Sequence, residues 1–437
     1  MKIERVEIAD FRCFHDFKLE LTYPEGHPKA GSPLDKICLI GQSGTGKTTL
    51  LEFLYHLNVE ADRNNPFLLQ VTTSSKIWIR SKELSIPVTN YESKDAEERS
   101  GVAMLRNEEY DQILRLNESL KFDPRRILYF PVEKESLIKD PYGLFDIPEE
   151  PRYKFTHHHF SSSDRLAYWE LLKNEVESYQ EELSMFRIKI SKEVENGNFP
   201  ASKEIAKELE NWRKRNPGVL EELGGKFLDP ILLRFHLQVK RELDSLKETN
   251  YLPIVDPSGN LIPEDGWTTG TQNIILKTVP LFALKPTEND LILIDEPENS
   301  LFPDVQAELV NHYTRLAPYS QIFMATHSPI IASYFEPWEV VDLEFNETGK
   351  VIRNEHLIDP KKGWHVDNFD YNPKWLSYEG IYHRYFDFPQ NSHPEREEKL
   401  NEAASLKREA QYLTQQGKTQ EAQQKIKEYQ KLAQKLR

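Results

Sequence analysis

The sequence is poor in sulfur. Its 437 residues include two cysteines and four methionines. Cys13 and Cys38 have neither CxxC nor metal-ligand spacing, which excludes a disulfide framework and a cysteine-bound zinc site. They read as small buried hydrophobes in a reducing compartment. Long apolar runs are also missing. No stretch approaches the ~18 apolar residues a membrane-spanning helix needs, and the opening MKIERVEIADFRCF alternates apolar and charged residues where a signal peptide would carry an apolar block. Positive charge is in deficit: 56 Lys and Arg face 71 Asp and Glu, a net charge of −15. A basic footprint over the whole surface is therefore excluded. The local basic runs 212–215 and 234–241 read as solvated helix faces. The expected location is the cytoplasm, away from any membrane.

What the chain does have is length and polar helix. Hydrophobic residues make up 38%, charged residues 29%, and the mean hydropathy is −0.65, enough for two or three domains around a sizeable core. Alternation predicts strands over 2–11 and 17–23, and the apolar run 37–40 a third. Residues 49–57 read as helix, 67–88 as strand-like and 126–132 as a buried strand. From 163 to 248 the spacing is helical, broken at 197–200 and 216–218. A β-hairpin is expected over 252–262, turning at Asp256-Pro-Ser-Gly259. Further strands are expected at 291–294 and 321–325. Residues 364–388 are dense in aromatics, expected to pack on the rest of the chain or on a partner. Beyond Pro394 two helices flank Gly417. In the second, Ala422, Ile426, Tyr429, Ala433 and Leu436 form a stripe that suits either a hairpin packing on itself or a docking surface.

Gly41-Gln42-Ser43-Gly44-Thr45-Gly46-Lys47-Thr48, followed by Thr49, fits GxxxxGK[ST] between an apolar strand and a helix. Glycines let backbone N–H groups curl around phosphates, Lys47 neutralises the β- and γ-phosphates, and the Thr48 hydroxyl can ligate Mg²⁺. Residues 291–297, LILIDEP, read as a buried parallel strand ending in two carboxylates. Asp295 is placed to hold Mg²⁺ through water and Glu296 to polarise an attacking water. Ala325-Thr326-His327-Ser328-Pro329 closes another apolar strand, where His327 can hydrogen-bond a γ-phosphate. Between these elements, Thr268 and Gly270 of WTTGTQ stand before an apolar helix expected over 273–284, an arrangement suited to binding an anion. His157-His158-His159 reads as a polar loop.

In this order the motifs resemble those of ABC-type ATPases of the RecF, SMC and OLD branch. Ile8-Ala-Asp-Phe11-Arg12-Cys-Phe14 is similar to that branch's opening strand motif, and Glu298-Asn-Ser-Leu-Phe-Pro303 to its D-loop. The resemblance spans about 1–132 and 264–345. It implies an α/β P-loop head in two parts, 1–132 and 264–355, an inserted helical lobe with a β-hairpin over 133–263, and an aromatic-rich segment with a helical hairpin over 356–437. It also implies a head-to-head homodimer, with higher oligomers left open. Each ATP, with Mg²⁺, would lie between Lys47, Thr48, Asp295, Glu296 and His327 of one copy and Thr268 and Gly270 of the other. Arg12 is expected either to approach the nucleotide or to form a salt bridge within the fold. The sequence departs from the branch at TTGT, which keeps the hydroxyl, and at Phe302, where the branch often has His or Asp. Glu133 stands where a glutamine is expected.

Compact members of the branch with a short helical insertion resemble the ATPase subunits of Septu-type, retron-associated and PARIS-type anti-phage systems, which hold or release a nuclease or toxin. A RecF-like DNA repair or replication ATPase is the alternative, which keeps nucleic acid open as a partner. A self-contained OLD-type nuclease would need a DxD pair that 330–437 lacks.

Overall fold

The computed structural model describes residues 2–56, 76–81, 84–89, 126–132, 156–159, 165–241, 252–386, 394–416 and 418–435. Glu133 and residues 67–75 lie outside them. The chain divides into two compact units, Met1–Tyr378 and Glu379–Arg437.

In the first unit, β1 (Lys2–Phe11) and β2 (Phe14–Glu20) form an antiparallel hairpin. Phe14, Phe17 and Leu19 are buried while His15, Asp16 and Lys18 face water. Alternation thus specifies the face. The second strand begins three residues earlier than expected because Arg12 takes a left-handed φ of 53° and turns the chain tightly. Next come β3 (Lys36–Gly41), α1 (Lys47–His56), β4 (Lys76–Ser81), β5 (Leu84–Thr89), β6 (Arg126–Phe130) and β7 (Thr156–His159). The three histidines therefore form a strand, not a loop. β7 pairs parallel with β6, so the triplet is an edge of the main sheet.

The helical lobe contains α2 (Arg165–Glu195) and α3 (Phe199–Arg215). Trp212 packs between Tyr179 and Phe186, with ring centroids 5.1 and 5.6 Å away, and Asn198 caps α3 beside Gly197. A π-helical turn, Leu223–Leu228, follows. The second basic run is not a helix face. It contains β8 (Gln238–Val239), and its arginines pair separately, Arg234 with Asp304 and Glu308, Arg241 with Asp229 and Glu221. The expected hairpin is β9 (Ile254–Val255) and β10 (Leu261–Ile262).

Then follow α4 (Thr269–Leu284), β11 (Leu291–Asp295), α5 (Pro303–Leu316), β12 (Gln321–Ala325), β13 (Val340–Phe345) and β14 (Val351–Asn354). α4 starts four residues before the expected 273, because Thr268 caps it by accepting the Thr271 N–H. Among the described residues the main sheet has seven strands in the order β14-β13-β3-β12-β11-β6-β7, all parallel except β14. The fold is α/β. A four-stranded antiparallel sheet, β2-β1-β4-β5, accompanies it. Gln321 ties the two sheets together. Its buried amide donates to Ile3 O (2.8 Å) and Leu34 O (2.9 Å) and accepts from Ile3 N–H (2.7 Å). Cys38 is buried in β3 and Cys13 is half-buried. Trp364 packs within this unit, donating its ring N–H to Thr22 O and lying under Arg353, whereas Trp375 is 85% exposed.

The second unit contains most of α6 (Tyr378–Tyr385) and the hairpin of α7 (Pro394–Gln415) and α8 (Thr419–Lys435). Ala403, Ala410 and Ala422 are buried, and Lys425 pairs with Glu409 across the hairpin. Ile426 of the predicted stripe remains 40% exposed. Among the described residues no helix is long and apolar enough to cross a membrane.

Candidate functional site

Parallel strands leave a crevice beyond their carboxyl ends, where ligands of open α/β sheets bind. Here β3, β12 and β11 lie side by side. Register aligns Asp295 with Ala325 and Ala325 with Leu39. The three chemical motifs therefore leave the sheet at one level, with the His327 strand between the P-loop strand and the acidic strand.

The loop 42–46 joins β3 to α1. Thr45 closes it by donating its hydroxyl to Gln42 O (2.8 Å), and Gln42, Ser43 and Gly44 are exposed. Gly46 has a φ of 91°, and a Cβ there would lie 2.6 Å from Cys13 Sγ and 2.8 Å from the Phe14 ring. The β1–β2 turn presses so closely on the loop that no side chain fits. Lys47 donates to Gly41 O (2.8 Å) and Gln42 O (3.0 Å). Burial pushes its pKa down to about 8, against the opposing pull of Asp295, Glu296, Glu298 and Asp342.

Thr48, on the first turn of α1, donates its hydroxyl to Asp295 Oδ2 at 2.8 Å. The hydroxyl and the carboxylate are hard oxygen donors, the kind Mg²⁺ prefers. The donor set fits such a cation, and the loop amides with Lys47 fit a phosphate chain. Thr49 is half-buried beside Thr48. Arg12 pairs with Glu52 of α1 at 2.6 Å and lies over the Phe11 ring, which is the salt-bridge arrangement.

Glu296 follows with a φ of 41°, a left-handed conformation that costs a non-glycine residue about 1–2 kcal/mol. Its N–H is held by Ala325 O (2.9 Å). His327 is half-buried, and burial and the Lys47 charge lower its pKa while Glu296 opposes them. It is a neutral imidazole at pH 7.

Thr268 and Gly270 make their contacts elsewhere. Thr268 is exposed at the start of α4, with its hydroxyl 2.9 Å from that of Thr271. Gly270 is buried, and a Cβ there would lie 2.6 Å from Ser300 O. This glycine is therefore required within the chain, whatever it does for an anion. Asn273 Nδ2 reinforces the approach by donating to Asn299 O (3.0 Å).

Three residues that were given no role in the site from the sequence belong to this region. Asn273 is one. Glu298 accepts the His327 N–H at 2.6 Å, and Gln306 accepts the Ser328 hydroxyl at 2.6 Å. The available signal for Glu298 was its place in the D-loop-like motif as the second glutamate of EPEN, two residues after Glu296. For Gln306 there was none. Nearby, Asp342, Glu344 and His356 bring three ligand-type atoms within 4.8 Å of one another. His356 is already engaged by Asp342 (2.7 Å) and the Tyr371 hydroxyl (3.0 Å).

Residues 1–216 and 129–332 match the AAA ATPase domain family. The chain belongs to that family. No curated protein sequence matches it. Among solved structures, this AAA ATPase domain chain is similar to the Pyrococcus furiosus Smc head domain with an extended coiled coil, bound to the C-terminal domain of ScpA. That match has 13% identity, a TM-score of 0.42, and covers 81% of this chain and 96% of that one. The Thermotoga maritima SMC head domain matches with 11% identity, a TM-score of 0.39, and coverage of 81% and 98%.

Proposed function

We propose that the protein binds ATP with Mg²⁺ and hydrolyses it to ADP and phosphate. The Thr48–Asp295 hydrogen bond carries this reading, because it joins the P-loop helix to the acidic strand across 247 residues of sequence. In the reaction, the loop amides and Lys47 hold the β- and γ-phosphates. Glu296 accepts the proton of the attacking water as general base, and His327 donates a hydrogen bond to the γ-phosphate. Thr48 and Asp295 would hold Mg²⁺, which would supply neutralisation of the phosphate charge. Gln42, Ser43, Gly44, Thr45 and Thr49 line the phosphate site.

The exposed position of Thr268 at a helix amino terminus supports a second step of the reading. A second copy supplies Thr268 and Gly270 to each nucleotide, so the complete site is a head-to-head homodimer. Nucleotide occupancy then selects between open and closed dimers. The switch holds or releases a separate effector, a nuclease or toxin, in cytoplasmic anti-phage defence. The helical lobe and the C-terminal helical hairpin support this reading through resemblance to compact branch members.

Lys47→Ala should abolish nucleotide binding. Glu296→Gln should keep ATP, lower turnover by about 10²-fold or more, and trap the dimer. Wild-type turnover in Glu296→Gln would refute the general base. Affinity purification from the native host with ATP and Mg²⁺ tests the role. A stoichiometric nuclease whose activity follows nucleotide state supports the defence reading. DNA-stimulated turnover with repair factors bound would move the assignment to a RecF-like ATPase.

A further inference from the structure

The turn after the acidic pair carries a carboxylate that ATP hydrolysis does not itself use. Glu298 Oε1 accepts the backbone N–H of His327 at 2.6 Å, and the Thr326 hydroxyl bonds to the same carboxylate. Oε2 is enclosed and has no hydrogen-bond partner among the described residues. Such a group costs free energy. Burial pushes its pKa up, partly offset by these hydrogen bonds, and the nearby Glu296 charge adds to the rise. A feature kept against folding cost, beside the proposed γ-phosphate contact, points to a role in the site.

The loop bearing His327 has a second tether from the same stretch of chain. Ser328 donates its hydroxyl to Gln306 Oε1 (2.6 Å), and Gln306 Nε2 donates to Leu301 O (2.8 Å). Both anchors therefore come from residues 298–306, and neither restrains the imidazole itself. Backbone position, set by Glu298 together with the Thr326 N–H bond to Leu39 O (3.0 Å), decides where the ring stands.

We propose that Glu298 is a positioning residue for nucleotide discrimination. By holding the His327 N–H it fixes the imidazole against a γ-phosphate, and so sets the preference for a nucleoside triphosphate over a diphosphate. This rests on the ATP-binding reading above and extends it to a residue that touches no nucleotide. A diphosphate has no group for His327 to meet, so its affinity is independent of Glu298.

The test is calorimetric binding of ADP and of a non-hydrolysable ATP analogue, with Mg²⁺, to the full chain. Glu298→Ala should weaken the analogue about tenfold and leave ADP unchanged, since it removes one charge-assisted hydrogen bond that acts only through His327. Glu298→Gln should recover most of the loss, because its amide oxygen accepts the same N–H. The Glu298→Ala/His327→Ala double variant should be no worse than His327→Ala alone. If Glu298→Ala does not fold, Glu298→Asp replaces it, one methylene too short to reach the N–H and with the same expected loss. Equal loss of both nucleotides, an unchanged ratio, or additive effects in the double variant would overturn the proposal. If His327→Ala abolishes discrimination and Glu298→Ala does not, this inference alone fails. If the wild-type chain binds neither nucleotide, the ATP reading fails and takes this inference with it.

Discussion

Between pH 7 and pH 9 the affinity for ADP should fall about tenfold, because the phosphates require a protonated Lys47 and its ammonium titrates within that interval. Burial pushes the Lys47 pKa down to about 8 in the unliganded protein. The ammonium is then about nine-tenths populated at pH 7 and about one-tenth populated at pH 9. A phosphate chain binds the protonated form, so binding must take up about half a proton at pH 8 and about nine-tenths of one at pH 9. His327 does not confuse the result, since its lowered pKa leaves it neutral throughout. The same shift acts with the opposite sign on folding. A lysine whose folded pKa lies below its unfolded value opposes folding while charged, and that penalty disappears as pH rises from 8 towards 10.5. The slope is about 1.4 kcal/mol per pH unit. Isothermal titration in two buffers of different ionisation enthalpy reads proton uptake directly. Constant affinity from pH 7 to 9 with no proton uptake would refute this account of Lys47.

Chelation of divalent cations should weaken ATP by about tenfold or more, and ATP more than ADP, because the triphosphate enters a site already rich in carboxylates; identical titrations with and without Mg²⁺ would count against Thr48 and Asp295 as the cation site. Gly270→Ala should lower stability by about 1–3 kcal/mol, since its Cβ would stand 2.6 Å from Ser300 O; an unchanged thermal melt would show that the 298–301 turn yields freely. His312 is fully buried beside Thr278, and burial pushes its pKa down to about 3. The unfolded chain therefore binds a proton that the folded one refuses between pH 6.5 and 3, and stability should fall by about 1.4 kcal/mol per unit below pH 6.5. Urea denaturation at pH 7 and 5 checks this, with His312→Leu expected to flatten the dependence.

The parts of the fold that could be read from sequence are those where local pattern and final environment agree. The run 291–294 is apolar throughout because both faces of a parallel strand are covered, and all five residues of β11, Asp295 included, are buried. The P-loop announces itself because phosphate binding fixes residue types at fixed spacing. Strand order was not legible. Placement of β12 between β3 and β11 depends on crossovers that leave no local mark. The His157–His159 strand was missed because a polar edge strand has no apolar alternation to show. The start of α4 was misjudged because Thr-Thr-Gly-Thr has weak helix propensity, which capping by Thr268 overrides. Glu298 and Gln306 could not be assigned because their partners, His327 and Ser328, lie 29 and 22 residues away.

The two ends of the main sheet treat buried polar groups differently. Near the amino ends, Gln321 makes three hydrogen bonds, Asp290 takes both arms of Arg126 and the Thr287 N–H, and Lys36 meets Glu339 and Tyr334 O. Each satisfies the fold and asks for nothing further. Among the described residues, the Tyr313 hydroxyl, Trp338 Nε1 and Arg353 Nε are enclosed without hydrogen-bond partners elsewhere, at about 1–3 kcal/mol for each neutral group. At the carboxyl ends the unresolved terms are charges and strain. Lys47 is buried as an ammonium, Glu298 Oε2 is enclosed, Glu296 is left-handed, and four carboxylates bear on one lysine. A divalent cation and a phosphate chain together would relieve the charge terms, whereas either alone would relieve only those of one sign. That asymmetry favours binding the pair over either partner and makes the occupied state differ in energy from the empty one, which is what a nucleotide-driven switch requires.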